Sequence, residues 1–129
     1  MKVSDILTKV PVIKSDIVCD EEVNGAFLDS RLVHRGSLFF ACCGENADGN
    51  LYAQTALDKG AVAVIMDNES IYNEVHGNKL LVNNTLEFMQ QLGRYRFDEL
   101  HNSNKIVIAV TGSFGKTGMK EMLKYIFSQ

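Results

Sequence analysis

The sequence lacks the features that mark nucleic-acid-binding, membrane and secreted proteins. Its 13 lysines and arginines are outnumbered by 16 aspartates and glutamates, and no basic run occurs along its 129 residues. This balance argues against nucleic acid or an anionic membrane as the main partner. No apolar stretch approaches the roughly 20 residues that cross a bilayer. The first ten residues include Asp5 and Lys9 where a signal peptide needs an unbroken apolar segment. We therefore expect a soluble protein of the cytoplasm.

Cysteine is also scarce. The chain has three cysteines, an odd number, and two of them, Cys42 and Cys43, are adjacent at the end of a predicted strand. Neighbouring side chains on a strand point to opposite faces, which does not suit a disulfide between them. No second cluster of cysteine or histidine has the spacing that a zinc site needs. The pattern indicates reduced thiols.

The residues that are present predict an α/β fold. Hydrophobic residues make up 46% of the chain and charged residues 22%, enough for a packed core. Short apolar runs alternate with helical patterns, which is typical of a sheet of mainly parallel strands. The predicted strands are GAFLDS, SLFFACC, AVAVIMD, KLLVN and KIVIAV. The predicted helices are SDILTKV with Ser4 as its cap, NLYAQTALDKG ending at Gly60, SIYNEVHG closed by Gly77, and TLEFMQQLGRYRFDEL capped by Thr85. The polar stretch 101–104 is the best candidate for a linker.

The last apolar strand runs into a turn that predicts a phosphate-binding loop. Backbone N–H groups in a glycine-rich turn before a helix converge on an anion at the positive end of the helix dipole. A lysine here would reach the terminal phosphates of a nucleotide, and the hydroxyl after it suits Mg²⁺. Only two residues separate the glycines, so this is not the standard P-loop string. The residues of this predicted nucleotide-phosphate loop are Gly112, Ser113, Phe114, Gly115, Lys116, Thr117 and Gly118.

This loop, TGSFGKT, resembles the nucleotide loop of the Mur ligase family, which adds amino acids to peptidoglycan precursors. Residues 28–65 are similar to the N-terminal uridine-nucleotide-binding domain of two members of that family. The matching positions are Asp29-Ser30-Arg31, Gly36, the glycines and aspartate of 44–49, and Gly60-Ala61-Val62-Ala63.

The resemblance implies an ATP-dependent ligase that uses Mg²⁺ and proceeds through an acyl phosphate. Ser113 and Lys120-Glu121-Met122 favour the member that adds D-alanyl-D-alanine to UDP-N-acetylmuramoyl-tripeptide. The neighbouring member, which adds diaminopimelate or lysine as the third stem residue, remains an alternative. So does a non-catalytic UDP-sugar-binding module.

The resemblance also implies roles for individual residues. Ser30 would contact the uracil or ribose of the UDP-linked substrate, and Glu45, Asn46 and Ala47 would line the uridine pocket. Lys116 would be catalytic, since it would neutralise charge on the transferred phosphate, and Thr117 would hold the metal. Without the resemblance, Asp29 and Ser30 indicate a local turn whose side chains bind backbone N–H groups. We expect Arg31 to pair with Asp29 or a carbonyl rather than with the ligand.

In the Mur ligase family this loop opens a large central ATPase domain. The resemblance therefore implies a complete first domain, 1–103, followed by the first strand, loop and helix of a truncated second one, 104–129. We expect such a chain to be inactive alone. The strand 105–111 and the helix after it would expose apolar faces. We expect these faces either to pair two copies of the chain as a homodimer or to remain poorly ordered.

Overall fold

The computed structural model describes residues 1–42 and 48–102, with side chains described up to Glu99 within the last helix. The strands are β1 (Lys14–Asp16), β2 (Gly25–Phe27), β3 (Ser37–Phe40), β4 (Ala63–Met66) and β5 (Lys79–Leu81). The helices are α1 (Val3–Lys9), α2 (Ala53–Asp58), α3 (Glu69–Tyr72) and α4 (Thr85–Asn102). Two 3₁₀ turns, Ser30–Leu32 and Gly49–Tyr52, follow β2 and β3. The predicted α/β class is confirmed.

The five strands form one sheet in the order β1-β5-β4-β3-β2. The strands β2 to β5 are parallel to one another, and β1 is antiparallel to β5. All four residues of β3 and of β4 are buried, so these strands are covered on both faces. Unbroken apolar runs of this kind are what a covered parallel sheet requires.

Helices cover the sheet on both sides and make three layers. On one face, Leu38, Phe40 and Ile65 belong to a core cluster shared with α1 and α4. On the other face, Phe39 and Val64 lie in a second cluster with residues of α2 and α3. Alternate residues of β3 therefore point into different clusters, as the two-residue period of a strand dictates.

Strand β1 is an element that the apolar pattern does not predict. Its sequence, Lys14-Ser15-Asp16, is polar, and all three residues are exposed. It covers the outer edge of β5, where Asp16 pairs with Lys79 in the register and Lys14 with Leu81. The strand forms because β5 needs a hydrogen-bonding neighbour, and not because its own side chains seek burial.

Two predicted helix caps are wrong by one or two positions. Helix α1 begins at Val3, and the Lys2 N–H donates to Asp5 Oδ2 at 2.8 Å. Ser4 lies inside the first turn and donates to Asp20 instead, with 2.7 Å between the two oxygens. At the start of α4, Asn84 Oδ1 accepts the Glu87 N–H at 3.0 Å, so Asn84 is the cap.

The predicted helix ends are partly confirmed. Gly60 follows α2 with a φ of +106°, and its N–H donates to the Leu57 carbonyl at 3.0 Å, as a helix-terminating glycine does. Helix α3 ends at Tyr72, well before Gly77. Helix α4 continues to Asn102, so the predicted linker 101–104 begins inside a helix. The predicted strand 105–110 and the helix after it lie outside the described residues.

Candidate functional site

The carboxyl ends of the four parallel strands lie together at one edge of the sheet, which we call the carboxyl edge. In open α/β sheets, ligands bind at this edge, where the loops after the strands meet. The described residues that follow these strands are Leu28–Arg31 after β2, Cys42 and Asp48–Asn50 after β3, Asp67 after β4, and Asn84–Thr85 after β5.

The turn after β2 is ordered by Asp29. Its Oδ1 accepts the Arg31 N–H at 2.9 Å, and its Oδ2 accepts from Arg31 Nη2 at 2.8 Å. The predicted pairing of Arg31 with Asp29 is confirmed. The hydrogen bond from the guanidinium to Asp29, and the negative charge of that carboxylate, raise the pKa of Arg31. Because the Arg31 side chain is exposed, water screens this pair, and its main effect is to shape the turn.

Ser30 begins the 3₁₀ turn and is half-buried. Lys59, at the end of α2, donates from Nζ to the Ser30 carbonyl at 3.2 Å. The turn that carries Ser30 is therefore fixed from two sides, by Asp29 within the turn and by Lys59 from the next helix. Lys59 was not among the residues predicted for the site, since nothing in the sequence relates it to a turn 29 residues earlier.

The turn after β3 returns to the sheet at Gly49. The Gly49 N–H donates to the Cys42 carbonyl at 2.9 Å. A Cβ at position 49 would lie 2.7 Å from that carbonyl oxygen and 2.9 Å from the Cys42 nitrogen. These are backbone atoms, which cannot move aside as the end of a flexible side chain can, so position 49 requires glycine. The predicted pocket residues Glu45, Asn46 and Ala47 lie outside the described residues.

A partly buried hydrogen-bond network centres on Asn50, a residue that is 2% exposed. Its Nδ2 donates to Asp48 Oδ1 at 2.7 Å and to Asp67 Oδ1 at 2.9 Å. Its Oδ1 accepts the Asp67 N–H at 3.1 Å. Asp67 Oδ2 in turn accepts the Thr85 N–H at 3.1 Å. One amide side chain thus joins the chain segments that follow β3 and β4, and Asp67 extends the connection to the start of α4.

Asn50 and Asp67 were not among the residues predicted for the site. Asp67 directly follows the apolar run of β4, and Asn50 lies just beyond the glycine that follows β3. A polar residue directly after a buried parallel strand is a usable signal, because such positions meet at the carboxyl edge.

The described residues hold no group of three or more histidine, cysteine, aspartate or glutamate side chains that could bind a metal. The predicted ATP and Mg²⁺ residues, at 112–118, lie outside the described ranges. Within 1–42 and 48–102, no helix is long and apolar enough to cross a membrane.

A groove of about 380 Å³ runs along the outer side of α4. Its described lining comes from that helix alone: Glu87, Gln90, Gln91, Arg94, Tyr95 and Asp98. Ligand pockets are mostly lined by apolar side chains with a few convergent polar groups, whereas five of the six side chains that line this groove are charged or carry an amide. We therefore place the candidate site at the carboxyl edge and not in this groove.

Comparison with known proteins relates the chain to one family. Residues 22–96 match the family described as "Mur ligase family, catalytic domain". The chain is 40% identical over 114 residues to the UDP-N-acetylmuramoyl-tripeptide–D-alanyl-D-alanine ligase of Rickettsia prowazekii, covering 88% of this chain and 23% of that protein. It is 31% identical over 131 residues to the UDP-N-acetylmuramoyl-L-alanyl-D-glutamate–2,6-diaminopimelate ligase of Phocaeicola vulgatus, covering 98% and 26%.

A similar fold occurs in a solved structure, the MurF ligase of Thermotoga maritima in complex with ADP. Its TM-score is 0.53 and its sequence identity 25%, over 60% of this chain and 17% of that one. The chain spans about a quarter of the length of the curated relatives it matches.

Proposed function

The chain belongs to the Mur ligase family, and from that premise we propose that it is part of an ATP-dependent ligase of peptidoglycan precursor synthesis. The reaction we assign to the whole enzyme is addition of D-alanyl-D-alanine to UDP-N-acetylmuramoyl-tripeptide in the cytoplasm. The observation that carries this choice is the 40% identity to the Rickettsia prowazekii ligase of that name, against 31% to the Phocaeicola vulgatus diaminopimelate ligase.

We propose that the described part of the chain holds the UDP end of the substrate at the carboxyl edge. Ser30 would contact the uracil or ribose, and Glu45, Asn46 and Ala47 would complete the uridine pocket. The position of Ser30 after β2 supports this role, because hydrogen bonds to Asp29 and from Lys59 set the shape of that turn. A rigid turn can offer a side chain to a ligand without a further loss of conformational entropy.

The chemistry is assigned to the segment 112–118. In the proposed reaction, the terminal carboxylate of the tripeptide attacks the γ-phosphorus of ATP, an acyl phosphate forms and ADP leaves. The amine of D-alanyl-D-alanine then attacks the acyl carbon, the amide bond forms, phosphate leaves and the amine proton passes to solvent. Lys116 would neutralise charge on the transferred phosphoryl group. Mg²⁺, when bound, would share that charge, with the Thr117 hydroxyl as a ligand. The ADP in the Thermotoga maritima structure supports ATP as the nucleotide.

The alternative within the family is the ligase that adds the third stem residue, because the diaminopimelate ligase of Phocaeicola vulgatus matches 98% of the chain. The two candidates differ in the acceptor peptide. The name of the first specifies a tripeptide, and the name of the second specifies L-alanyl-D-glutamate.

Calorimetric titration of the chain with both UDP-linked substrates tests the proposal. We expect binding of the UDP-linked tripeptide, and weaker binding after Ser30→Ala. Ser70→Ala, at an exposed serine on α3, is the matched control and should leave affinity unchanged. An equal loss of affinity in both variants, or no binding of either substrate at millimolar concentration, would contradict substrate binding at the carboxyl edge. Preference for the dipeptide substrate would favour the alternative ligase.

A further inference from the structure

We infer that Asn50 and Asp67 are positioning residues for the nucleotide-sugar site, which they serve by fixing the carboxyl edge without touching the ligand. This inference rests on the proposed function, since it names the residues that hold the UDP-binding edge in shape. Its basis is the juxtaposition of one buried amide with two carboxylates, Asp48 in the segment that follows β3 and Asp67 directly after β4.

The hydrogen bonds of Asn50 offset the free-energy cost of burying its amide. Moving an amide from water into a protein interior costs free energy unless its hydrogen bonds are replaced. Asn50 replaces them at both ends of its side chain: Nδ2 donates to two carboxylates, and Oδ1 accepts from the backbone of Asp67. An apolar residue of similar size would fill the same space without these bonds, so packing alone does not explain an asparagine here.

The bonds of Asn50 reach both chain segments that shape the edge. Asp48 and Gly49 lie in the segment that follows β3, and the Gly49 N–H donates a hydrogen bond to the Cys42 carbonyl. Asp67 is the first residue after β4, and it also holds the Thr85 N–H at the start of α4. Loss of the Asn50 amide would free Asp48 from Asp67 while leaving each strand in the sheet. The expected damage is therefore to the geometry of the edge, on which a preorganised binding site depends.

The amino-terminal edge of the same sheet supplies a matched control. Asn78 is 8% exposed and lies directly before β5. Its Nδ2 donates to the Val62 carbonyl at 2.8 Å, and its Oδ1 accepts the Val18 N–H at 2.6 Å. Asn78 thus resembles Asn50 in burial and bonding but lies at the opposite end of the strands. Replacing it should lower stability without altering the carboxyl edge.

The experiment measures UDP affinity by calorimetry and stability by urea unfolding for the unmodified chain and four variants: Asn50→Ala, Asp67→Asn, their combination, and Asn78→Ala. Asp67→Asn is the milder change, and it serves if Asn50→Ala does not fold. We expect UDP to bind about tenfold more weakly after Asn50→Ala, because the carboxyl edge loses the three hydrogen bonds of the Asn50 side chain. The double variant should bind no more weakly than the weaker single variant, because both changes break one unit. Asn78→Ala should be destabilised yet bind UDP within about twofold of the unmodified chain.

Three results overturn the inference. UDP affinity unchanged in folded Asn50→Ala and Asp67→Asn would show that the network has no part in positioning. An equal loss in Asn78→Ala would show a general effect of lower stability. No binding of UDP by the unmodified chain would contradict the proposed function itself, and the inference with it.

Discussion

Gly49 is the residue at which the carboxyl edge leaves no room for a side chain. Its Cβ would meet backbone atoms of Cys42 at 2.7 and 2.9 Å. We predict that Gly49→Ala lowers the free energy of unfolding by about 1–3 kcal/mol, the usual cost of overpacking. Gly25→Ala, in β2, is the control, since its Cβ would meet a Phe27 ring atom at 3.3 Å, and a ring can shift. Urea unfolding of both variants is the measurement, and equal losses would refute this account of Gly49.

The raised pKa of Tyr72 leads us to predict how stability responds to alkaline pH. Its side chain is buried, with Lys79 Nζ 4.2 Å from the ring centroid and its hydroxyl 3.5 Å from Asp16 Oδ2. Burial, and then the nearby Asp16 carboxylate, raise the pKa of Tyr72 from 10.0 to about 12. The folded state therefore holds the phenol proton more tightly than the unfolded state does. The resulting stability is complete below pH 10 and is lost as pH rises toward 12.

Tyr72→Phe removes this proton and tests the sign. The unfolding free energy of the unmodified chain should fall more steeply than that of Tyr72→Phe between pH 10 and pH 12. Urea unfolding at several pH values in that window gives the two slopes. Parallel slopes would show that the phenol does not titrate differently in the folded and unfolded states.

Single residues were predictable where their partners are close in sequence. The pairing of Asp29 with Arg31 follows from a two-residue separation, and Gly60 follows from the end of a helical pattern. The contact between Asn50 and Asp67 spans 17 residues and arises only when β3 and β4 pair in parallel. The register between strands is a property of the folded sheet. The strands could therefore be predicted from the sequence, but this contact could not.

At the level of elements, two neighbouring residues at the start of α4 differ in their hydrogen bonding. Asn84 accepts the Glu87 N–H, whereas Thr85 is fully buried and its Oγ1 has no hydrogen-bond partner among the described residues. We predict that Asn84→Ala lowers the free energy of unfolding by about 1 kcal/mol, because a helix N–H loses its acceptor. Thr85→Val should leave stability unchanged or raise it by about 1 kcal/mol, since it removes an unsatisfied buried hydroxyl.

Thermal or urea unfolding of these two variants decides between the caps. Asn83→Ala, at the exposed neighbouring asparagine, is the control for loss of an amide side chain at this helix start. A larger loss for Thr85→Val than for Asn84→Ala would restore Thr85 as the cap and contradict the assignment made from the structure.

Four described strands and the main helices could be predicted because each carries its own apolar pattern. The strands β2 to β5 are buried on at least one side, and their sequences are correspondingly rich in apolar residues. Strand β1 could not be predicted, because its three exposed polar residues show no apolar pattern. Its existence depends on the free edge of β5, which only the assembled sheet defines.

On the scale of the whole molecule, parallel topology gathers the turns after β2, β3 and β4 at one edge. The match to the Mur ligase family, at residues 22–96, includes all of these turns. The predicted division into 1–103 and 104–129, the inactivity of the chain alone and its association through 105–129 stay predictions. They concern parts of the chain outside the described residues.

We propose that the carboxyl edge of this sheet binds the UDP portion of a nucleotide-linked substrate. Titration of the isotope-labelled chain with UDP, followed by amide chemical shifts, tests it most directly. We predict shifts that saturate with UDP at Ser30, Gly49, Asn50 and Asp67, and unchanged resonances for Val18 and Asn78 at the opposite edge. Shifts confined to the amino-terminal edge or to α4, or none at millimolar UDP, would contradict the claim.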